Sequence, residues 1–234
     1  LSALGFRCSC VDPFLDPNKS DMQLVPLEEI YKADIVCCHT PLTRQGPHPT
    51  WHMLSEQELR NLRPGTLLLN AGRGAVINNK ALLDVLNSGV EIDTVLDVWE
   101  AEPNIDIALL NKVNLGTPHI AGYSFEGRLT GSVMIFDALC RFLGRDESQV
   151  KNQVVSEAMG AQRKLDTSNL EEAIAQVYAI HHDFEQLVAA VSGLPESFDM
   201  LRKHYPQRRE YTHFVLPENI QNKQQLLALG FSSE

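Results

Sequence analysis

An acidic segment and a later histidine are the first candidates for chemistry in this sequence. Three carboxylates lie close together in Leu96-Asp97-Val98-Trp99-Glu100-Ala101-Glu102-Pro103, and Pro118-His119 follows further along the chain. A carboxylate beside a histidine raises the pKa of the imidazole and fixes its orientation for proton transfer. Taken alone, each of the eight histidines is more often a surface or structural residue, so the interpretation of His119 depends on its neighbours.

A second candidate is the arginine between two glycines in Asn70-Ala71-Gly72-Arg73-Gly74. A guanidinium in such a loop can approach a carboxylate closely and bind both of its oxygens. A surface arginine in a turn explains the same residues equally well. Gly72-Arg73-Gly74 also begins like a dinucleotide-binding fingerprint, but Ile77 stands where the third glycine belongs. We therefore reject this segment as the phosphate-binding loop.

Asp12 is a third candidate, because an acid at a strand end can hydrogen-bond the adenosine ribose of NAD. Such an acid follows the glycine-rich phosphate loop by about 20 residues. The sequence begins too close to Asp12 to contain that loop, which is expected upstream. On Asp12 alone, a simple turn with Pro13 is the better interpretation.

The composition indicates a folded protein and disfavours several kinds of partner. Of the 234 residues, 44% are hydrophobic and 21% are charged, close to globular averages. The net charge of -10 disfavours nucleic acids and anionic membranes, which attract basic surfaces. No hydrophobic run is long enough to span a bilayer. Five cysteines without disulfide or zinc spacing predict a reducing, cytoplasmic location and no metal site.

Strand-like hydrophobic segments alternate with helical patterns in the first half of the chain. We predict strands at residues 6–11, 34–39, 66–70, 94–98 and 113–115, and helices at 27–31, from 55, at 79–88 and at 104–110. This alternation predicts an α/β fold, a Rossmann-like doubly wound parallel sheet that is incomplete at its N-terminal side. In such sheets, ligand-binding and catalytic residues lie at the carboxyl ends of the strands, and the candidate residues lie there too.

The pattern changes after residue 123. We expect a long helix at 126–143, a polar linker at 144–152 and one continuous helix at 169–191. Further helices are expected at 198–204 and 223–229, and a strand at 211–216. The predicted parts are an NAD-binding domain at 1–123, a long helix with a linker at 124–152, and a small α+β domain at 153–234.

Four motifs follow one another at the predicted strand ends: Thr40-Pro41-Leu42-Thr43, Asn70 to Gly74, Leu96 to Pro103, and Pro118-His119-Ile120-Ala121-Gly122. Together they resemble the D-2-hydroxyacid dehydrogenase family, over essentially the whole chain. Three segments narrow the resemblance to a branch that oxidises a phosphorylated four-carbon acid: His119 to Gly127, Leu194 to Tyr205, and Arg208-Arg209-Glu210. In that branch the C-terminal segment is a dimerisation domain, so the resemblance implies a homodimer formed through residues 153–234.

The resemblance implies a role for each matching residue. Arg73 is expected to bind the substrate carboxylate and polarise the oxygen on C2, and Glu102 to pair with His119, the general acid/base. Glu100 competes with Glu102 for that pairing, but the family's acid stands next to the proline, which favours Glu102. Formate dehydrogenases of the same superfamily carry glutamine there. The remaining expectations are cofactor contacts from Asp12, Thr40, Asp97 and Gly122, and a substrate contact from Tyr123.

The implied function is NAD-dependent oxidation of 4-phospho-D-erythronate to the 2-oxo acid, in pyridoxal 5'-phosphate biosynthesis. Three alternatives stay open: another D-2-hydroxyacid dehydrogenase, for example one acting on phosphoglycerate; a non-catalytic NAD-binding or corepressor-like protein; and a dimerisation and scaffold module. The family's N-terminal substrate-binding half, first Rossmann strand and glycine-rich loop do not occur in these residues. We therefore expect an N-terminally truncated chain that does not turn over alone, because the pyrophosphate lacks its backbone nest.

Overall fold

The computed structural model describes residues 1–233, which divide into two compact units. The first unit consists of Leu1–Ser2, Phe6–Ala121 and Ile180–His204, and the second unit contains the other described residues. Each unit has a buried hydrophobic core. From Phe6 onward, the chain thus stays in the first unit to Ala121, returns to it at Ile180, and passes to the second unit again at Tyr205. The predicted domain boundaries at residues 123 and 152 stay predictions.

Short strands and helices alternate along the described residues. The strands are β1 (Ser9–Cys10), β2 (Gln23–Leu24), β3 (Ile35–Cys38), β4 (Thr66–Asn70), β5 (Ile92–Leu96), β6 (Leu115–Gly116), β7 (Arg163–Lys164), β8 (Phe214–Leu216) and β9 (Ser232–Ser233). The α-helices are α1 (Glu56–Asn61), α2 (Asn79–Asn87), α3 (Ile107–Leu110), α4 (Phe125–Leu143), α5 (Ser148–Met159), α6 (Leu170–Val177), α7 (Ile180–Ala189), α8 (Glu196–Lys203) and α9 (Lys223–Ala228). Six 3₁₀ helices lie among residues 1–233, at Ser2–Leu4, Pro17–Lys19, Leu27–Lys32, Gly74–Val76, Val191–Gly193 and Tyr211–His213.

The main sheet of the first unit is parallel and has the strand order β3-β4-β5-β6. This confirms the predicted α/β fold class. The register pairs Cys38 with Asn70, Asn70 with Leu96, and Leu96 with Gly116. These four residues therefore form one row across the sheet, and the segments that follow them leave from the same edge.

Local sequence signals explain the helices beside this sheet. The Ser55 amide donates a hydrogen bond to Glu58 Oε2 at 3.0 Å, as in a capping box. At the start of α2, the Ala81 amide donates to Asn78 Oδ1 at 3.0 Å. Both caps satisfy backbone groups that the first turn of a helix leaves without intrahelical partners.

The predicted polar linker at 144–152 is wrong for most of its length, because α5 begins at Ser148. Gly144 adopts the left-handed conformation, with φ of 65°, and ends α4. The Ser148 amide then donates to Asp146 Oδ1 at 3.0 Å. The polar residues of this segment end one helix and start the next.

The single helix predicted at 169–191 is also wrong, because the chain extends at Tyr178 between α6 and α7. Leu170 and Val177 pack against the core of the second unit. Leu187, by contrast, is fully buried in the core of the first unit, where Phe184 packs against it. The apolar stripe of residues 169–191 thus contributes side chains to two cores, and the break at Tyr178 separates the two groups of side chains.

The second unit holds a smaller parallel sheet with the order β7-β8-β9. Its strand β8 begins only at Phe214, since residues 211–213 of the predicted strand form a 3₁₀ turn. Likewise, the strand predicted at 6–11 shortens to β1, which pairs with β2. Among residues 1–233, no helix is both long and apolar enough to cross a membrane.

We predict that Phe198→Ala destabilises the first unit, although Phe198 lies in the C-terminal third of the chain. Its ring is fully buried among the residues of that core. Loss of a buried phenyl ring costs about 3–5 kcal/mol. Hydrogen exchange should therefore show lower protection in β4 and β5 and unchanged protection in β8. Met200→Ala on the same helix is the control, because Met200 is 52% exposed. Lost protection in β8 with intact β4 would contradict the assignment.

Candidate active site

The sequence-predicted residues of the first unit follow successive strands at the carboxyl edge of the main sheet. Thr40 follows β3, Arg73 follows β4, Glu102 follows β5 and His119 follows β6. Because these strands are neighbours in this order, the four residues follow strand ends at one edge of the sheet, in the same order as the strands. Strand ends of parallel sheets are where such folds bind ligands.

His119 and Glu102 form a hydrogen-bonded pair. His119 Nδ1 lies 2.7 Å from Glu102 Oε2, and the Trp99 amide donates to Glu102 Oε1 at 2.6 Å. A carboxylate only accepts hydrogen bonds, so Nδ1 carries the proton in this pair. The arrangement leaves Nε2 of His119 as the nitrogen that can exchange a proton with a ligand.

Asp97 holds the turn on which His119 stands. Its carboxylate is buried and accepts from Thr117 Oγ1 at 2.6 Å, the Ile120 amide at 2.8 Å and the Ala121 amide at 3.0 Å. The Asp97 carbonyl accepts from the His119 amide at 2.7 Å. His119 has φ of 57°, in the left-handed region. Such a conformation costs of order 1–3 kcal/mol and persists only where its surroundings enforce it.

These contacts give Asp97 a structural task in addition to its predicted role as a cofactor contact. Three of the acceptor positions of its carboxylate serve the turn at residues 117–121. A carboxylate offers about four such positions, so Oδ2 retains capacity for one more donor. The contact between Asp97 and NAD stays a prediction.

Arg73 is exposed at the end of a loop fixed by Asn70. Asn70 Nδ2 donates to the Arg73 carbonyl at 3.0 Å, and the Gly72 amide donates to Asn70 Oδ1 at 3.1 Å. Arg73 Nη1 donates to the Gly72 carbonyl at 2.7 Å. The Arg73 guanidinium therefore lies at the surface, on a loop whose backbone is fixed by Asn70.

Gly74 has a function that sequence reasoning did not identify. A Cβ atom here would lie 2.0 Å from the carbonyl carbon and oxygen of Trp99. The loop after β4 therefore crosses the loop after β5 at a distance that only glycine permits. Trp99 is itself buried, and its Nε1 donates to the Thr117 carbonyl at 3.0 Å. Three strand exits are packed together at this point.

Thr40 and Asp12 are cofactor candidates on two different sheets: Thr40 follows β3 of the main sheet, and Asp12 follows β1 of the two-stranded sheet. Thr40 Oγ1 is buried without a hydrogen-bond partner among residues 1–233. A buried hydroxyl without a partner costs about 1–3 kcal/mol, so this group suits a ligand that would pair with it. Asp12 is half-buried, and its Oδ1 accepts from the Phe14 amide at 2.9 Å. The contacts of Thr40 and Asp12 with a cofactor stay predictions.

Gly122 and Tyr123 belong to the second unit. Gly122 is exposed, with open space where a Cβ would be. The ring of Tyr123 lies edge-on to Tyr205, with centroids 6.1 Å apart, and the Arg128 guanidinium lies 5.7 Å from its centroid. The predicted substrate contact is thus part of an aromatic and cationic cluster.

Glu126, close to Tyr123 in sequence, anchors the first turn of α4. Arg209 Nε donates to its Oε1 at 2.6 Å, and the Glu210 amide donates to its Oε2 at 2.8 Å. Burial alone would raise the pKa of this carboxyl, but the hydrogen bonds from Arg209 and Glu210 lower it below its ordinary value. The carboxylate is therefore held ionised at the base of the segment that carries Tyr123.

A second histidine–carboxylate pair was not expected from the sequence. His52 Nε2 lies 2.7 Å from Glu100 Oε1. The only signal was the second acid of the Leu96–Pro103 motif, which had been weighed as a partner of His119. The two acids instead contact different histidines.

Comparison with known proteins identifies the class to which this parallel α/β fold belongs. Residues 1–121 match the family described as "D-isomer specific 2-hydroxyacid dehydrogenase, NAD binding domain". The chain belongs to this family. Residues 152–230 match a separate family, described as a domain of unknown function, DUF3410.

Among curated relatives, the chain is similar to erythronate-4-phosphate dehydrogenases. It is 46% identical to the Saccharophagus degradans protein, over 92% of this chain and 58% of the relative. It is 37% identical to that of Escherichia coli strain ATCC 8739, over 100% of this chain and 63% of the relative. The chain thus spans about three fifths of the length of these relatives.

A solved structure supports the fold. The NAD-complexed D-isomer specific 2-hydroxyacid dehydrogenase of Lactobacillus delbrueckii ssp. bulgaricus matches with a TM-score of 0.52 and 24% identity. The match covers 63% of this chain and 49% of that one.

Proposed function

We propose that the protein is an NAD-dependent oxidoreductase that converts 4-phospho-D-erythronate to its 2-oxo acid, a step of pyridoxal 5'-phosphate biosynthesis. The observation that carries the proposal is the contact of 2.7 Å between His119 Nδ1 and Glu102 Oε2. The similarity to erythronate-4-phosphate dehydrogenases supports the choice of substrate.

His119 and Glu102 carry out the proton transfer in this proposal. His119 Nε2 takes the proton from the hydroxyl on C2 as the carbon–oxygen bond becomes a carbonyl. The imidazolium that forms is stabilised by the carboxylate of Glu102, which also fixes the orientation of the ring. In the reverse direction, the same nitrogen returns the proton.

Arg73 binds the carboxylate of the substrate and polarises the oxygen on C2. Its planar guanidinium suits two parallel hydrogen bonds to a carboxylate, and the Asn70 contacts hold its backbone. Tyr123 contacts the substrate in this proposal.

Asp12, Thr40, Asp97 and Gly122 hold the cofactor in this proposal. Bound NAD supplies the acceptor for the hydride that leaves C2. The Thr40 hydroxyl, buried without a partner among the described residues, favours a ligand at this edge of the sheet. The expected inactivity of residues 1–234 by themselves stays a prediction. It is tested by assaying this chain beside the complete gene product.

We predict that His119→Asn lowers kcat of the complete gene product by ~10²–10⁴-fold, because asparagine cannot take the hydroxyl proton. Arg73→Lys should also lower kcat/KM severely, since an ammonium cannot form the two-pronged contact. Turnover is followed as reduction of NAD with 4-phospho-D-erythronate, and NAD affinity by calorimetry should stay nearly unchanged in His119→Asn. His181→Asn, an exposed histidine on α7, is the control. Activity of His119→Asn within a few-fold of the parent would rule out this role.

We further propose that the protein is a cytoplasmic homodimer whose interface lies within residues 153–234. Within this range, Val154 and Val188 present exposed apolar side chains. All five cysteines are free, as suits a reducing compartment. Deleting the segment is not a clean test, because Leu187 and Phe198 belong to the core of the first unit.

Surface substitution tests the dimer without removing that core. The double variant Val154→Asp/Val188→Asp should halve the mass of the complete protein in light scattering at micromolar concentration, since buried charges disfavour association. Ser156→Asp adds one such charge at an exposed position of α5 and should leave the mass unchanged. The proposal would be wrong if the parent had the mass of a monomer, or if the double variant stayed dimeric.

A further inference from the structure

His52 and Glu100 form a pair with the same chemistry as His119 and Glu102, but outside the proposed catalytic set. Their side chains are only 19% and 31% exposed, and His52 Nε2 lies 2.7 Å from Glu100 Oε1. We propose that this pair is a positioning device that fixes the Trp99–Glu102 segment so that Glu102 stays on His119. The inference rests on the proposed function, since it assigns Glu102 to the catalytic histidine.

Glu100 is fastened to the start of α2 by two reciprocal hydrogen bonds. The Asn79 amide donates to Glu100 Oε2 at 3.0 Å, and the Glu100 amide donates to Asn79 Oδ1 at 2.9 Å. Asn79 is buried, and its Nδ2 donates to the Ile77 carbonyl at 3.0 Å. A carboxylate is also favoured near the first amides of a helix. Both oxygens of Glu100 therefore have fixed partners, Asn79 on one side and His52 on the other.

His52 is fixed independently of Glu100. Its amide donates to the Ala75 carbonyl at 2.7 Å, and its ring stacks on Trp51 with centroids 3.7 Å apart. Its backbone has φ of 53°, in the left-handed region. Because the backbone and ring of His52 have their own contacts, the imidazole is a fixed point against which Glu100 is held.

The position of Glu100 is transmitted to Glu102 through a tight segment. Ala101, between the two acids, has φ of 59°, and the Trp99 amide donates to Glu102 Oε1 at 2.6 Å. The backbone thus folds back on itself, so that Glu100 and Glu102 reach different histidines. Without His52, Oε1 of Glu100 would lose its partner and Asn79 alone would hold that acid, so the turn at Ala101 would be less constrained and Glu102 would be held less firmly on His119.

The test compares His52→Ala, which removes the donor, with His52→Gln, whose amide can donate to Glu100 in its place. In the complete gene product, we expect His52→Ala to lower kcat at least 10-fold, with KM for NAD within threefold of the parent. His52→Gln should restore kcat to within threefold of the parent. His48→Ala, an exposed histidine of the same loop, is the control and should keep full activity.

A purely structural role predicts a different pattern. It would lower the yield of folded protein while kcat per NAD-binding molecule stayed at the parent value, and that result overturns the proposal. Equal losses in His52→Ala and His52→Gln would also overturn it.

Hydrogen exchange separates this proposal from the proposed function. The Trp99 amide, which donates to Glu102, should exchange at least 10-fold faster in His52→Ala than in the parent or His52→Gln. If the parent showed no dehydrogenase activity, the proposed function would fail while this readout still decided the positioning role. Unchanged exchange at Trp99 would reject the positioning role whether or not the parent is active.

Discussion

The geometry of the candidate site depends on the buried carboxylate of Asp97. It accepts hydrogen bonds from Thr117, Ile120 and Ala121, and the Asp97 backbone links the Asn70 carbonyl to the His119 amide. One residue thus connects the exits of β4, β5 and β6. A buried carboxylate is costly unless its oxygens are paired, so these donors stabilise the charge as much as the charge fixes the turn. The left-handed backbone of His119 follows from this constraint.

The parallel register turns that local constraint into a site. Asn70, Leu96 and Gly116 lie in one row, so the residues after them leave the sheet at the same level. Close packing then limits how the exits move: Gly74 crosses Trp99 at a distance that excludes a Cβ, and Gly116 lies against the Trp99 ring. Trp99 is the shared contact of all three loops, and Glu102 is fastened to its amide. The position of His119 for proton transfer therefore depends on the packing along the whole sheet edge.

Much of this arrangement could be predicted from the sequence, since periodicity and chain order determine which residues follow which strands. Strand β4 has the predicted bounds, and the α/β class was predicted correctly. The contact between Glu102 and His119 was expected from the family resemblance, but the contact between Glu100 and His52 could not be derived, because it depends on the left-handed turn at Ala101 between the two acids. The division of the apolar stripe at Tyr178 was equally hidden: periodicity reports that a face is buried, but not which core covers it. The close crossing of Gly74 with Trp99 could not be derived either, because it depends on how the loops after β4 and β5 meet.

The most direct test of the account is the hydrogen bond between His119 and Glu102 when only Asp97 is changed. In Asp97→Asn, an amide nitrogen replaces one acceptor oxygen and faces backbone donors, so the turn should loosen while Glu102 is intact. Proton NMR of the complete protein should show the Nδ1 proton of His119 shifted downfield in the parent and lost to exchange in Asp97→Asn. Asp93→Asn, an exposed change on β5, the strand that Asp97 follows, should preserve the signal. An unaltered Nδ1 signal in Asp97→Asn would contradict the claim that Asp97 holds the site together.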